Sequence, residues 1–204
     1  MDNINGFSGN ISQPLDTMLF FSFFSPIVIA LVMIFMSFIF QNFKGFVFLG
    51  FLIGSSLLRN LMIYAFFSDS SKNIDNVCNS VRYSKFGNST FNAFVFAFTI
   101  MYLLYPMFAN GEANYWVISS LLFYFVIDII IKFQKKCITS VGELFFSIFT
   151  GLLLSGLIVL LMYAGGSSKF LFYNEMIKNG ETCSMPSKQT FKCQVYKNGE
   201  LVTK

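Results

Sequence analysis

Five long apolar stretches, separated by polar connections, dominate the chain. They cover residues 17–40, 46–68, 91–109, 115–133 and 143–164. A helix that crosses a bilayer needs roughly 20 mostly apolar residues. The stretches are continuous rather than alternating, which favours helices over the strands of a membrane barrel. The pattern therefore predicts a bundle of five transmembrane helices.

Composition supports the same fold class. Hydrophobic residues make up 55% of the 204 residues and charged residues 12%, whereas soluble domains carry about 25% charged residues. We expect an all-α integral membrane protein with a transmembrane domain over 1–164 and a polar tail over 165–204. In the tail, a strand-like run at 190–196 and the turn pair Asn198-Gly199 predict a small β-hairpin.

The distribution of Lys and Arg predicts an orientation. With five spans, the N-terminus, the 69–90 loop and the 134–142 connection share one face of the membrane. Near the spans that face carries Lys72, Arg82, Lys85, Lys135 and Lys136, with Lys132 reaching towards it, and the other face carries Lys44, Lys169 and Lys178. Basic residues favour the cytoplasmic face, so the N-terminus is predicted to be cytoplasmic and the tail lumenal or external.

The cysteines fit this orientation. Cys78 and Cys137 fall on the predicted cytoplasmic face, where thiols stay reduced, and Cys183 and Cys193 fall in the predicted lumenal tail. We expect a Cys183–Cys193 disulfide across the tail hairpin; the alternative is two free thiols. The glycosylation sequons that begin at Asn10 and Asn88 both lie on the predicted cytoplasmic face, so they are expected to stay unmodified.

Arg59 and Asp128 are charged residues inside predicted spans. Each costs about 2.5–3.5 kcal/mol to insert and usually finds a partner. Counting residues from the helix centres places the two at nearly the same depth. The sequence therefore predicts an intramembrane Arg59–Asp128 ion pair, with a packing role as the first interpretation and an ion or proton relay as the second. Glu143 lies at the start of the fifth helix, where the positive potential of the helix N-terminus stabilises a carboxylate, and this explains its position.

Small residues mark faces where helices can approach closely. Gly50 and Gly54 form a Gly-x-x-x-Gly pattern in the second span, and Ser147, Gly151 and Ser155 repeat every four residues in the fifth. We expect packing within one subunit, with self-association into a homo-oligomer as the alternative.

Motifs for catalysis and cofactors are missing from the sequence. It contains no His, no phosphate-binding loop, no dinucleotide fingerprint and no nucleophile elbow. Its basic residues do not cluster as those of nucleic-acid-binding proteins do. We therefore expect no enzymatic activity, no cofactor, no metal site and no nucleic-acid partner.

The chain resembles small multi-pass membrane proteins of large nucleocytoplasmic DNA viruses in three features. These are the five-span plan, the heavy use of Phe, Ile, Lys, Ser and Asn, and the Cys-containing tail segment FKCQVYKNGE at 191–200. The resemblance implies a structural protein of the virion's internal membrane that touches capsid proteins, and it assigns no functional residue.

Two functions follow from these patterns. The first is a structural or scaffolding membrane protein that contacts partner proteins through the 69–90 loop and the tail. The alternative is a small channel or transporter that uses Arg59 and Asp128 in an oligomeric bundle. A transporter should have a hydrated cavity that reaches both charges, whereas a scaffold should enclose them.

Overall fold

The computed structural model describes residues 14–66, 78, 83, 87–111, 113–138, 140–173, 196–197 and 200–201. Its five long helices are α1 (Pro14–Ile39), α2 (Lys44–Phe66), α3 (Phe91–Ala109), α4 (Tyr115–Gln134) and α5 (Val141–Ala164). All five are long and apolar enough to cross a membrane, α1 over Phe21–Ile39. Over the described residues between 14 and 173 the chain is an all-helical integral membrane protein, as the apolar pattern predicts.

Local polar signals fix where the helices begin. The side chain of Asn114 accepts a hydrogen bond from the backbone N–H of Val117 at the start of α4, and Ser140 does the same for Glu143 at the start of α5. Such caps satisfy backbone donors that have no partner within the helix. The two caps mark the residues at which the chain re-enters the bilayer after a short connection.

Helix α3 lies at the centre of the bundle. In its most apolar window 72% of the residues are buried, compared with 17% in α4. Aromatic side chains surround it: Phe48 of α2 lies 5.1 Å from Tyr102, and Phe96 lies 5.0 Å from Tyr124 of α4, measured between ring centroids. The other helices therefore place one face on α3 and leave the opposite face for lipid.

The two predicted small-residue faces have different environments. Ser147, Gly151 and Ser155 are buried, and a Cβ atom on Gly151 would lie 2.7 Å from the carbonyl oxygen of Phe94 in α3. The backbones of α3 and α5 can approach this closely because position 151 has no side chain. A Cβ atom on Gly50 or Gly54 would meet no atom within 4 Å, so that face is open.

A disulfide at one end of the bundle contradicts the prediction for two cysteines. Cys78, in the α2–α3 connection, is bonded to Cys137, which follows α4. Both are buried and pack with Phe23 of α1 and Ile131 of α4. The expectation that these cysteines are separate reduced thiols is wrong, because the folded connection brings them together across 59 residues of sequence.

The polar tail contributes a short antiparallel pair. Strands β1 (Tyr196–Lys197) and β2 (Glu200–Leu201) pair Tyr196 with Leu201 and Lys197 with Glu200. The predicted turn at 198–199 and both Cys183 and Cys193 lie outside the described residues. The disulfide-linked hairpin therefore stays a prediction.

At the other end of the bundle, the chain after α5 folds back over α2. A short 3₁₀ helix, Ser168–Phe170, precedes Leu171, which is buried in the main apolar core. The Lys44 ammonium donates a hydrogen bond to the Leu171 carbonyl over 2.7 Å. Lys44 is therefore a buried structural contact as well as a basic residue at the end of a span.

We expect Gly151→Ala to lower the free energy of unfolding by about 1–3 kcal/mol, because the new methyl group would press on the α3 backbone. Gly54→Ala is the matched control, also Gly to Ala in a helix; it should be neutral or stabilise by up to about 1 kcal/mol. Unfolding of the purified chain in mixed micelles with increasing dodecyl sulfate measures both. An equal loss for Gly54→Ala would show that the open face is packed against another subunit.

Candidate functional site

The strongest candidate site is a buried polar cluster around the turn and first helical residues at 87–92, which we call the 87–92 turn. Four charged side chains reach it from three helices: Arg59 of α2, Asp128 and Lys132 of α4, and Glu143 of α5. Their exposed fractions are 0%, 1%, 1% and 3% respectively. The cluster lies towards the membrane face that carries the 67–90 and 135–140 connections.

Arg59 binds one side of this turn. Its Nη2 atom donates to the carbonyl oxygen of Gly87 at 3.0 Å and to the Oγ1 atom of Thr90 at 2.9 Å. Ser147 of α5 lies 3.0 Å from the same nitrogen. The guanidinium carbon is 5.5 Å from the ring centres of Phe91 and Phe94, a distance at which a cation is attracted to an aromatic face.

Thr90 links Arg59 to Glu143. Its hydroxyl accepts from Arg59 and donates to the Oε1 atom of Glu143 at 3.0 Å. Gly87 has a φ of +60°, and a Cβ atom there would lie 2.5 Å from Glu143 Oε1 and 3.1 Å from Arg59 Nη2. A glycine is needed on both counts: it adopts positive φ readily and leaves room for the two charged groups.

Asp128 and Lys132 bind the other side. They form a buried ion pair one helical turn apart, with 3.2 Å between Lys132 Nζ and Asp128 Oδ2. Lys132 also donates to the carbonyl oxygen of Ser89 at 3.1 Å and lies 5.2 Å from the ring centre of Phe23. The predicted reach of Lys132 towards the membrane surface is therefore wrong, because its ammonium group is bound inside the bundle.

Polar side chains of α1 and α3 complete the environment of Asp128. Ser22 donates to its Oδ1 atom. The Asn92 amide nitrogen lies 3.3 Å from the same oxygen and 2.9 Å from the Ser25 hydroxyl. A buried carboxylate is stabilised by several donors of this kind. Asp128 thus joins α1, α3 and α4.

The predicted Arg59–Asp128 ion pair is not formed. The hydrogen bonds of Arg59 go to the 87–92 turn and Ser147, and the ion pair of Asp128 is with Lys132. Both side chains contact residues 87–92 and therefore lie at a similar depth in the bundle. The first residues of α3 separate them. Residue counting gives depth along a helix and leaves the direction in which each side chain points unspecified.

The α2–α3 connection covers the cluster. We call this cover the cap and define it as Cys78, Tyr83 and residues 87–90. Tyr83 stacks on Phe91 with 5.1 Å between ring centres, and its hydroxyl donates to the Phe23 carbonyl at 2.8 Å. Burial raises the pKa of Tyr83 to about 12, so this donor keeps its proton at any physiological pH.

A cavity of about 160 Å³ lies between α1 and α4 beside Asp128. It is lined by Phe21, Ser22, Tyr124, Ile127, Asp128 and Ile131. Arg59 is not part of this lining, so the cavity does not connect the two charged groups. Among the described residues, no three His, Cys, Asp or Glu side chains come together to hold a metal ion.

Sequence reasoning underrated several members of the cluster. The spacing of four between Asp128 and Lys132 is the helical ion-pair spacing and could have identified that partner. Asn92, near the start of an otherwise apolar helix, was a further signal. No local pattern marks Gly87, Thr90 or Ser22, because their roles depend on contacts between distant segments.

Comparisons with known proteins add no assignment. No family model matches the chain, and neither does any curated protein or solved structure. The interpretation of the cluster therefore rests on its geometry.

We expect Gly87→Ala to destabilise the fold by more than Gly111→Ala. Both positions have positive φ, at +60° and +74°, but Gly111 has open space where Gly87 faces Glu143 and Arg59. Gly111→Ala should cost only the backbone strain, about 1–2 kcal/mol, and Gly87→Ala should add the displacement of two charged groups. Thermal unfolding in detergent compares them; equal losses would contradict the close packing at Gly87.

A double-mutant cycle should detect coupling between Asp128 and Lys132. Asp128→Asn or Lys132→Met alone should each cost about 3–5 kcal/mol, because each leaves a buried charge without its partner. The double variant should cost clearly less than the sum. The Asp128→Asn and Arg59→Met cycle is the control and should show weaker coupling; stronger coupling there would support the original ion pair instead.

Proposed function

We propose that the chain is a structural or scaffolding membrane protein, whose helices form a rigid unit and whose connections and tail contact partner proteins. The observation that carries the proposal is the enclosure of Arg59 and Asp128, which are 0% and 1% exposed. Both make hydrogen bonds within the bundle. This is the arrangement expected of a scaffold rather than of an open pathway.

The balance of charge inside the cluster supports the same function. Two cations, Arg59 and Lys132, are accompanied by two carboxylates, Asp128 and Glu143, so the formal charges cancel. An ion-coupled transporter needs a carboxylate that can exchange its bound cation or proton with water. Here Asp128 is held by Lys132, Ser22 and Asn92, and Glu143 by Thr90.

The contact surfaces of this scaffold are the 69–90 loop and the C-terminal tail with its hairpin. The resemblance to small membrane proteins of large nucleocytoplasmic DNA viruses extends the proposal to the internal membrane of a virion. Its partners there would be capsid proteins or other membrane proteins, and copies of the chain itself are the alternative partner.

A channel or transporter is the second candidate function, and the cavity beside Asp128 is the observation that favours it. Water entering this cavity would reach one buried carboxylate. To form a pathway the protein would have to separate α1 from α4 and break the bond between Ser22 and Asp128.

The orientation of the contact surfaces now depends on fewer signals. Lys132 is buried and paired within its own span. Near the spans, the remaining basic residues are Lys72, Arg82, Lys85, Lys135 and Lys136 on one face and Lys44, Lys169 and Lys178 on the other. This bias favours a cytoplasmic N-terminus, but the disulfide between Cys78 and Cys137 removes the support that reduced thiols had supplied.

Flux measurements test the scaffold against the transporter. We expect vesicles that contain the purified chain to pass protons, Na⁺ and K⁺ no faster than protein-free vesicles, because no charged group of the cluster is free to exchange its partner. Ion-sensitive dyes inside the vesicles report the rates. A flux above that background, abolished by Asp128→Asn in a variant that keeps its helical content, would overturn the scaffold and establish the transporter.

A further inference from the structure

We propose that the membrane face carrying the N-terminal segment, the cap and the α4–α5 connection lies in an oxidising compartment, and that the C-terminal tail lies on the reducing, cytoplasmic side. This is the reverse of the orientation that the basic residues near the spans predict. The proposal concerns orientation alone and holds whether or not the chain transports anything, so this test and the flux measurement can fail separately.

The position of the disulfide is the first argument. Cys78 and Cys137 are 2% and 0% exposed and pack against Phe23 and Ile131. Cys137 is also tied to α4 by a hydrogen bond from its backbone N–H to the Lys132 carbonyl. The bond is thus part of the apolar packing directly beside the buried Asp128–Lys132 pair, and it fixes the cap to the end of α4.

Forming this bond requires an oxidant. The two thiols lose two protons and two electrons, and the disulfide of a thiol oxidoreductase accepts them and becomes a dithiol. Such transfer runs to completion in secretory and external compartments, whereas cytosolic thiols are kept reduced. A cysteine pair that becomes buried in the fold is therefore expected on the oxidising face.

The two flanks of α1 give an independent argument. Residues 1–13, which precede α1, contain no Lys or Arg, and the first basic residue of the chain is Lys44, immediately after the α1–α2 connection. The basic flank of a span favours the cytoplasmic side. This arrangement places the N-terminal segment outside and Lys44 inside.

A count over the whole chain agrees with the flanks of α1 because the C-terminal tail is rich in Lys. The face proposed as cytoplasmic holds seven basic residues: Lys44, Lys169, Lys178, Lys188, Lys192, Lys197 and Lys204. The opposite face holds five outside the spans: Lys72, Arg82, Lys85, Lys135 and Lys136. Within about 20 residues of the spans, where basic residues act on orientation, the proposed cytoplasmic face holds Lys44, Lys169 and Lys178 against these five. The disulfide and the flanks of α1 therefore carry the proposal against this local bias.

Asn88 cannot report this orientation, although it begins a glycosylation sequon. Its side chain is only 6% exposed and accepts a hydrogen bond from the backbone N–H of Tyr83 at 2.9 Å. The folded protein therefore has no room for a glycan at this position on either side of a membrane, and an unmodified Asn88 does not indicate a cytoplasmic cap.

The proposal changes what is expected of the tail. On the reducing side, Cys183 and Cys193 remain thiols instead of forming the predicted disulfide. Residues 165–204 carry six Lys and three Glu, so the tail offers a basic contact surface to cytoplasmic partners. The cap, closed by its own disulfide, faces the opposite compartment.

Thiol labelling of the full-length chain in sealed microsomes, whose cytoplasmic face is outward, tests the orientation. A membrane-impermeant polyethylene glycol maleimide should add two mass increments without detergent. Two further increments should appear only after detergent and a reductant expose Cys78 and Cys137. The control variant Cys183→Ser/Cys193→Ser should lose the first two increments and keep the last two.

Protease protection supplies a second readout that does not depend on thiol reactivity. An epitope at the C-terminus should be removed by added protease while the microsomes are sealed. Protection of this epitope until detergent is added would overturn the proposal. Labelling of Cys78 and Cys137 in sealed vesicles without a reductant would overturn it equally, because it would show free thiols on the cytoplasmic side.

Discussion

The need to neutralise four charged side chains in a low-dielectric interior determines how this bundle is built. Arg59 and Lys132 each bind a backbone carbonyl of the 87–92 turn, at Gly87 and Ser89. Asp128 and Glu143 receive donors from α1 and from that same turn. A buried charge that loses its partner destabilises a protein by several kcal/mol. The start of α3 is therefore fixed from both sides by contacts that cannot be lost singly.

Close backbone approach follows from this requirement. Glu143 and Ser147 reach the turn only if α5 lies directly against α3, and Gly151 permits that approach one turn after Ser147. At the other side of the cluster, the cap covers Phe23 and Lys132 and is joined to the end of α4 by the disulfide. One arrangement of the buried polar groups is thus held in place by three features: the apolar core around α3, the small-residue contact and the disulfide.

The helices could be predicted from sequence, whereas the partners of the charges could not. Span length and continuity depend on local hydrophobicity, so the bounds predicted for the third span, 91–109, agree with those of α3. Depth along a helix also depends on local counting, and Arg59 and Asp128 do share a level. The direction of each side chain depends on how the helices rotate against one another, which no single segment encodes. The disulfide between Cys78 and Cys137 was missed for a similar reason, since a long connection had to fold back before the two sulfur atoms could meet.

Rigidity at the cluster has consequences for function. A transport cycle would have to move α3 or its neighbours, and any such movement would break hydrogen bonds to Arg59 on one side or to Lys132 on the other. Each broken contact would leave a charge or a carbonyl without a partner in a region with little water to replace it. The described part of the 69–90 loop belongs to this fixed frame, because Gly87, Ser89 and Thr90 bind the buried charges. The scaffold that we propose would therefore contact its partners through the rest of that loop and through the tail.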